Sequence, residues 1–271
     1  MSLLRTALFQ SSGTPGSVEE SLKALDGAAE RAAAAGARLL VASELFLAGY
    51  VDEVQDLAEA ADGPSARAVA DIAARYKVAV AYGYPECDGG AVYNSVQLFG
   101  PDRASLANYR KTHLCGEFER EHFTYGKDPV VQAELDGVRI GFLICYDVEF
   151  PENVRAHALA GTDLLVVPTA VMDPFQIVPE SLVPVRAFEN QMYIAYANRI
   201  GKEQDFEFVG RSTLVGPDGV VRARAGRGAE ELIFGDFDPA FLAASRAENP
   251  YLRDRRPELY ASLTDRARVG M

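Results

Sequence analysis

The chain has 271 residues and a net charge of −12, with 48% hydrophobic and 24% charged residues, an ordinary globular composition that argues against disorder. The acidic balance also argues against a nucleic-acid partner, because a phosphate-binding surface needs clustered positive charge. No apolar run approaches the roughly 18 residues of a membrane span, and Arg5 breaks the short apolar start, so neither a membrane partner nor a signal peptide is expected.

Residues 3–10 predict a first strand. Ser17 followed by Glu20 is a capping-box pattern, and Val18, Leu22, Leu25, Ala28, Ala29 and Ala32 follow it at helical spacing until Gly36. Residues 38–42 form a short strand-like run ending at Ser43-Glu44. Two helical stretches come next, 52–61 and 65–76, with Gly63-Pro64 opening the second. The pattern then turns to strands at 78–83, 91–99 and 104–109, separated by turn residues. Residues 130–135 and 138–144 flank Asp136-Gly137, a two-residue hairpin signal. A helix is predicted over 151–160, a strand over 163–167, a helix over 184–190, and strands over 192–198, 208–215 and 220–224. Helices interleave with strands, but tight turns join several strand pairs, so the sheets must be mixed rather than purely parallel. Neither repeats nor a linker divide the chain, which is read as one domain over 1–271.

The usual short motifs fail. Gly226-Arg-Gly228 lacks the third glycine of a dinucleotide fingerprint, no upstream glycine makes a P-loop, and there is no GxSxG elbow. His113, His122 and His157 never pair as HxH or HExxH, so no metal, no cofactor and no histidine-based triad is expected. Cys87, Cys115 and Cys145 make no CxxC pair, and an odd number of thiols suits a reducing cytoplasm.

Three ionisable residues remain, each just past a predicted strand: Glu44, Lys111 and Cys145. Side chains beyond strand carboxyl ends meet in the crevice of an α/β sheet. A lysine ammonium can lower a thiol pKa and hold an oxyanion, while a glutamate can relay the proton and later activate water. Together they describe amide hydrolysis through a thioester. Taken singly, a buried cysteine is more often core and a lone Glu or Lys more often solvated.

The segments Ser43-Glu-Leu-Phe-Leu-Ala-Gly-Tyr50, Tyr109-Arg-Lys-Thr-His-Leu114 and Gly141-Phe-Leu-Ile-Cys-Tyr-Asp-Val-Glu-Phe-Pro-Glu152 resemble, in order, the three signature blocks of the nitrilase superfamily of carbon–nitrogen hydrolases. Arg186-Ala-Phe-Glu-Asn190, Ala197-Asn-Arg-Ile-Gly201 and Gly210-Arg-Ser-Thr-Leu-Val-Gly-Pro-Asp-Gly219 support the match over nearly the whole chain. The resemblance implies an α/β, four-layer α-β-β-α sandwich with two mixed sheets, Cys145 as nucleophile, Glu44 as general base and Lys111 as oxyanion cation. It also implies a second glutamate beside the lysine. Glu117, Glu119 and Glu121 compete for that role, and the spacing to Phe123 and Gly126 favours Glu119. Cys115 is read as packing. Tyr146-Asp147 after the nucleophile is similar to amidases, where true nitrilases carry Trp-Glu, and the chain as a whole resembles the aliphatic amidase and amino-acid amidase members. The implied activity is hydrolysis of a small, aliphatic carboxamide to acid and ammonia, with N-carbamoyl-amine hydrolase or nitrilase as the alternative on the same site. Tyr50, Tyr146, Ala170 and Met172 are the expected substrate-binding residues. The resemblance further implies a homodimer or higher homo-oligomer, with residues 246–271 as a C-terminal tail packing on the partner.

Overall fold

The computed structural model describes residues 3–264; the end of the expected C-terminal tail, 265–271, lies outside the described residues. In chain order the strands are β1 (Leu4–Gln10), β2 (Leu39–Val41), β3 (Ala79–Asp88), β4 (Ala91–Phe99), β5 (Ser105–Arg110), β6 (Gln132–Leu135), β7 (Val138–Phe142), β8 (Leu164–Pro168), β9 (Tyr193–Ala197), β10 (Ile200–Glu203), β11 (Phe206–Val209), β12 (Thr213–Val215), β13 (Val221–Arg224) and β14 (Glu231–Phe237). The α-helices are α1 (Val18–Ala34), α2 (Pro64–Tyr76), α3 (Gly116–His122), α4 (Pro151–Leu159), α5 (Val183–Asn190) and α6 (Pro239–Glu248).

Among the described residues these strands make two mixed six-stranded sheets, ordered β14-β1-β2-β3-β4-β5 and β13-β12-β9-β8-β7-β6, and a separate β10-β11 ribbon. Each large sheet has three central parallel strands (β1, β2, β3 and β7, β8, β9) with antiparallel strands outside them. The period-two alternation of a strand sorts the side chains. Leu4, Leu8, Leu39, Val41, Ala79 and Ala81 face the second sheet, packing in one core with Ile140, Phe142 and the strands beside them. Ala7, Phe9, Leu40, Val80 and Tyr82 point the other way, against Leu25, Ala28, Ala29 and Ala32 of α1 and Val69 and Ala73 of α2. Residues of α4 and α5, among them Val154 and Ala187, cover the far side of the second sheet. The result is the α-β-β-α sandwich. Each fully buried aliphatic side chain contributes about 1.5–3 kcal/mol, so the inter-sheet layer is the main source of stability.

Local chemistry fixes the boundaries. Ser17 Oγ accepts the Glu20 N–H at 3.4 Å to start α1, and Asp238 accepts the Ala240 and Phe241 N–H groups at 2.8 and 3.2 Å to start α6. Asp136 and Gly137 take φ values of 50° and 79°, the left-handed pair that a two-residue hairpin turn requires between β6 and β7.

The helix expected over 52–61 is a correction. Only a 3-10 turn forms, Asp52–Gln55, because Glu59 is recruited elsewhere. Its N–H bonds to Pro85 O, its carbonyl takes the Cys87 N–H, and its carboxylate caps α2 through Ser65 N at 2.8 Å and Ser65 Oγ at 2.7 Å. The strand expected over 208–215 is also corrected. Gly210 and Arg211, at φ 63° and 61°, break it into β11 of the ribbon and β12 of the second sheet. The elements α3, β10, β14 and α6 had no counterpart in the sequence reading.

Candidate active site

Glu44 follows β2, Lys111 follows β5, and Cys145 follows β7 as the first residue of a 3-10 turn, Cys145–Glu149. The first two strands belong to one sheet and the third to the other, so docking the sheets brings the three together. Lys111 Nζ donates to Glu44 Oε1 and to Glu119 Oε1, both at 2.6 Å. All three side chains are buried. Asn94 Nδ2 also donates to Glu44 Oε1 at 2.7 Å, whereas Glu44 Oε2 is buried without any hydrogen-bond partner among the described residues. A buried, unpaired carboxylate oxygen is costly unless something arrives to use it. Glu119 is more fully occupied. Its Oε1 takes Tyr50 OH at 2.9 Å besides the lysine, and its Oε2 takes the Cys115 N–H at 2.6 Å.

Burial by itself would depress the Lys111 pKa, but the charges of Glu119 and Glu44 outweigh it and hold the ammonium well above the ordinary lysine value. Burial is the largest influence on Glu119 and pushes its carboxyl up to about 6 against the pull of Lys111. The Cys145 thiol departs from the sequence expectation. Burial, then the Glu44 charge, raises its pKa well above the ordinary value, and Lys111 recovers only part of that. Burial thus favours the neutral form of this thiol, so an attack by the sulfur would require a group to take its proton. The sulfur sits within hydrogen-bonding reach of the Thr169 hydroxyl and the Ala170 N–H. Cys145 has φ 44°, a left-handed conformation that costs a non-glycine residue about 1–3 kcal/mol.

Two buried networks hold this geometry, and the sequence reading gave neither a role. Asp147 accepts Tyr109 OH at 2.8 Å, Thr112 Oγ1 at 2.9 Å, His113 N at 2.9 Å and Ile144 N at 3.1 Å, tying the segment after Lys111 to the turn of Cys145. Arg199, following β9, donates to the carbonyls of Glu44 and Leu45 at 3.2 and 3.1 Å and pairs with Glu203. Glu203 in turn accepts the Tyr50 N–H at 2.7 Å. The signal that was there to use is a polar residue lodged in an otherwise apolar stretch: Asn94 inside β4, Asp147 after the nucleophile, Arg199 after β9.

Gly83 of β3 sets how closely the Glu44 loop can approach. A Cβ there would lie 2.5 Å from Leu45 N, 2.6 Å from Ser43 O and 2.8 Å from the Glu44 Cα, all backbone atoms unable to rotate aside. Gly83→Ala is expected to cost about 1–3 kcal/mol and to lower kcat about 10²-fold by displacing the carboxylate. Thermal unfolding and steady-state kinetics check it, and an unshifted Tm with full activity would contradict the close approach.

A cavity of about 140 Å³ opens over Cys145. Tyr50, Tyr146 and Met172, expected as substrate contacts, all stand in its wall. Ala170 does not fit that expectation: its side chain is fully buried in the cluster behind, and its contribution near the sulfur is the backbone N–H. Cys115, read as packing, is half-buried and lines the cavity. Glu117 is exposed at the cavity, and Glu121 is exposed away from it. All three cysteines are free thiols. Among the described residues no group of three His, Cys, Asp or Glu side chains could hold a metal ion, and no helix is long and apolar enough to cross a membrane.

The family model for carbon-nitrogen hydrolases matches residues 5–247. The chain is 47% identical over 267 residues to a Pseudomonas protegens protein described as a hydrolase in the pqqF 5' region, covering 97% of this chain and 93% of that one. It is 37% identical over 230 residues to the (R)-stereoselective amidase of a Pseudomonas species, covering 84% and 82% respectively. Among solved structures it resembles the amidase of Nesterenkonia sp. AN1. A double mutant of that enzyme with acrylamide aligns at TM-score 0.87 and 33% identity, over 96% of this chain and 97% of that one. A further mutant carries the acetamide moiety of fluoroacetamide added covalently at the active-site cysteine, at TM-score 0.86, 34% identity, 96% of this chain and 97% of that one.

Proposed function

The chain belongs to the carbon–nitrogen hydrolase family, whose hydrolases use a cysteine nucleophile, and from that premise we propose that it hydrolyses small aliphatic carboxamides to the acid and ammonia through a Cys145 thioester. The observation that carries this reading is the Lys111 ammonium held between two carboxylates while Glu44 Oε2 has no hydrogen-bond partner among the described residues. An ammonium has three N–H donors, and two are spent on Glu44 and Glu119, which leaves the third for an oxyanion.

Glu44 Oε2 takes the thiol proton as Sγ bonds to the amide carbon. The carbonyl oxygen becomes an oxyanion held by Lys111 Nζ and the Tyr146 N–H. Glu44 then gives its proton to the amide nitrogen, the C–N bond breaks and ammonia leaves. A water molecule deprotonated by Glu44 adds to the thioester, the C–S bond breaks, and the sulfur recovers the proton. Glu119 acts by fixing Lys111 and Tyr50. A cavity of about 140 Å³ suits a small acyl group, since an apolar cavity of similar size holds benzene. The (R)-stereoselective amidase and the Nesterenkonia amidase, which was solved with acrylamide and with butyramide, support an amide as substrate.

In this reading residues 1–271 act as one catalytic unit. The chain works in the cytoplasm, which three free thiols suit, as a homodimer or higher homo-oligomer, with 246–271 as the tail against the partner. Within that tail Tyr251 packs edge-on to Phe188 and Leu252 packs against the core of the same chain. The test is ammonia release from butyramide, an N-carbamoyl amino acid and butyronitrile measured side by side. Butyramide is expected to turn over fastest. A faster carbamoyl compound or nitrile would replace this reading with N-carbamoyl-amine hydrolase or nitrilase.

A further inference from the structure

Glu149 closes the 3-10 turn that Cys145 opens, and it contributes to the wall of the same cavity. Four steps of a 3-10 turn advance about 8 Å along its axis, a span that a short acyl chain covers. The mechanism gives this carboxylate no task. Its backbone carbonyl accepts Arg186 Nη2 at 2.8 Å, but its side chain has no hydrogen-bond or ion-pair partner among the described residues. Burial pushes the carboxyl pKa up, and the more distant charges of Lys111 and Arg186 only partly offset this, the condition of an anion without a close counterion.

Apart from Glu119, which is committed to Lys111, and Glu117, which is exposed at the cavity, the rest of the wall is largely apolar: Phe118, Val171, Met172, Phe175 and Phe206 surround the opening, and Tyr146 lies edge-on to Phe150 at 4.9 Å. Among the described residues this wall holds no lysine or arginine. The nearby Lys111 is already committed to Glu44 and Glu119, a set with one positive and two negative groups. An incoming carboxylate would therefore meet the half-buried Glu149 with no cation in the wall to offset it, an unfavourable like-charge encounter. An incoming ammonium would meet a carboxylate and aromatic faces, both of which attract it.

Resting on the amidase reading above, we infer that Glu149 is a specificity residue that selects amides bearing a protonated amine on the acyl chain and turns away those bearing a carboxylate. The site would then take amino amides in preference to neutral amides of the same shape, and both in preference to half-amides of dicarboxylic acids.

The test compares β-alaninamide, butyramide and succinamate, which are cationic, neutral and anionic at pH 7. The wild-type kcat/KM for β-alaninamide is expected to exceed that for butyramide about 10-fold, with succinamate slowest. In Glu149→Gln the β-alaninamide to butyramide ratio is expected to fall towards 1, a comparison in which any common loss of turnover cancels. In Glu149→Arg the order of β-alaninamide and succinamate is expected to reverse. A wild-type ratio at or below 1, or one unchanged in Glu149→Gln, overturns the assignment while leaving amidase activity standing. Should none of the three amides be hydrolysed, the amidase reading fails, and calorimetric titration of Cys145→Ala protein with β-alaninamide and butyramide still decides the role of Glu149. Tighter binding of β-alaninamide supports it and equal binding overturns it.

Discussion

Cys145→Ala is expected to end ammonia release from butyramide, with a loss on the order of 10⁴-fold or more, while the protein still folds. In the proposed mechanism the Cys145 sulfur forms the acyl bond, and neither Lys111 nor Glu44 can replace it. Alanine keeps the strained φ of 44° without adding bulk, so the thermal transition is expected to stay within a few degrees of wild type. Peptide mapping after iodoacetamide treatment gives the second readout, resolved by site because Cys87 and Cys115 are also free thiols. Label at Cys145 should disappear in the variant. In wild type it should depend on Glu44, since the thiol is held neutral by burial and by that carboxylate. Turnover retained by Cys145→Ala would remove the thioester mechanism altogether.

Lys111→Met has two expected consequences, one on rate and one on stability. Losing the cation proposed to hold the oxyanion should lower kcat/KM about 10³-fold. It also strands the buried Glu44 and Glu119, which share the ammonium at 2.6 Å each. Breaking a buried pair by removing one partner costs about 3–5 kcal/mol near neutral pH. The pH dependence has a definite sign. Glu119 already sits at about 6, above its unfolded value, and without Lys111 its folded pKa rises further. A carboxyl raised on folding contributes stability at low pH and loses it as pH rises through the folded pKa. The deficit of the variant against wild type should therefore shrink as pH falls from 7 towards 5. Denaturant titrations across that range measure it, and a deficit independent of pH would mean that the two carboxylates are not compensated by Lys111.

Much of this site was legible in the chain because strand ends are legible. Glu44, Lys111 and Cys145 each follow an apolar run, and a sheet puts such positions side by side whatever their separation in sequence. What escaped were contacts between remote segments. Nothing in the string around Asn94 says that its amide will reach Glu44, and nothing around Arg199 says that its guanidinium will cap two carbonyls of the other sheet. The stretch 52–61 has helix-forming composition, yet a single glutamate, Glu59, was worth more as the cap of α2 and as a partner for β3 than as one turn of helix. Likewise 208–215 is one strand-like run by composition and two elements by backbone, because Gly210 and Arg211 turn left-handed. Electrostatics was the least legible part. A lysine beside a thiol suggests a thiolate, and only the depth of burial and the second charge, Glu44, reverse the sign.

The Arg199–Glu203 pair gives turnover a mechanical sensitivity. Arg199 is anchored where β9 of one sheet ends and grips the backbone that carries Glu44 beyond β2 of the other. A small slip between the sheets therefore moves Glu44 relative to Cys145 before any strand is lost. Activity is therefore expected to be sensitive to inter-sheet alignment. Core substitutions far from the cavity that merely shear the sandwich should be felt first as lost activity and only later as lost structure.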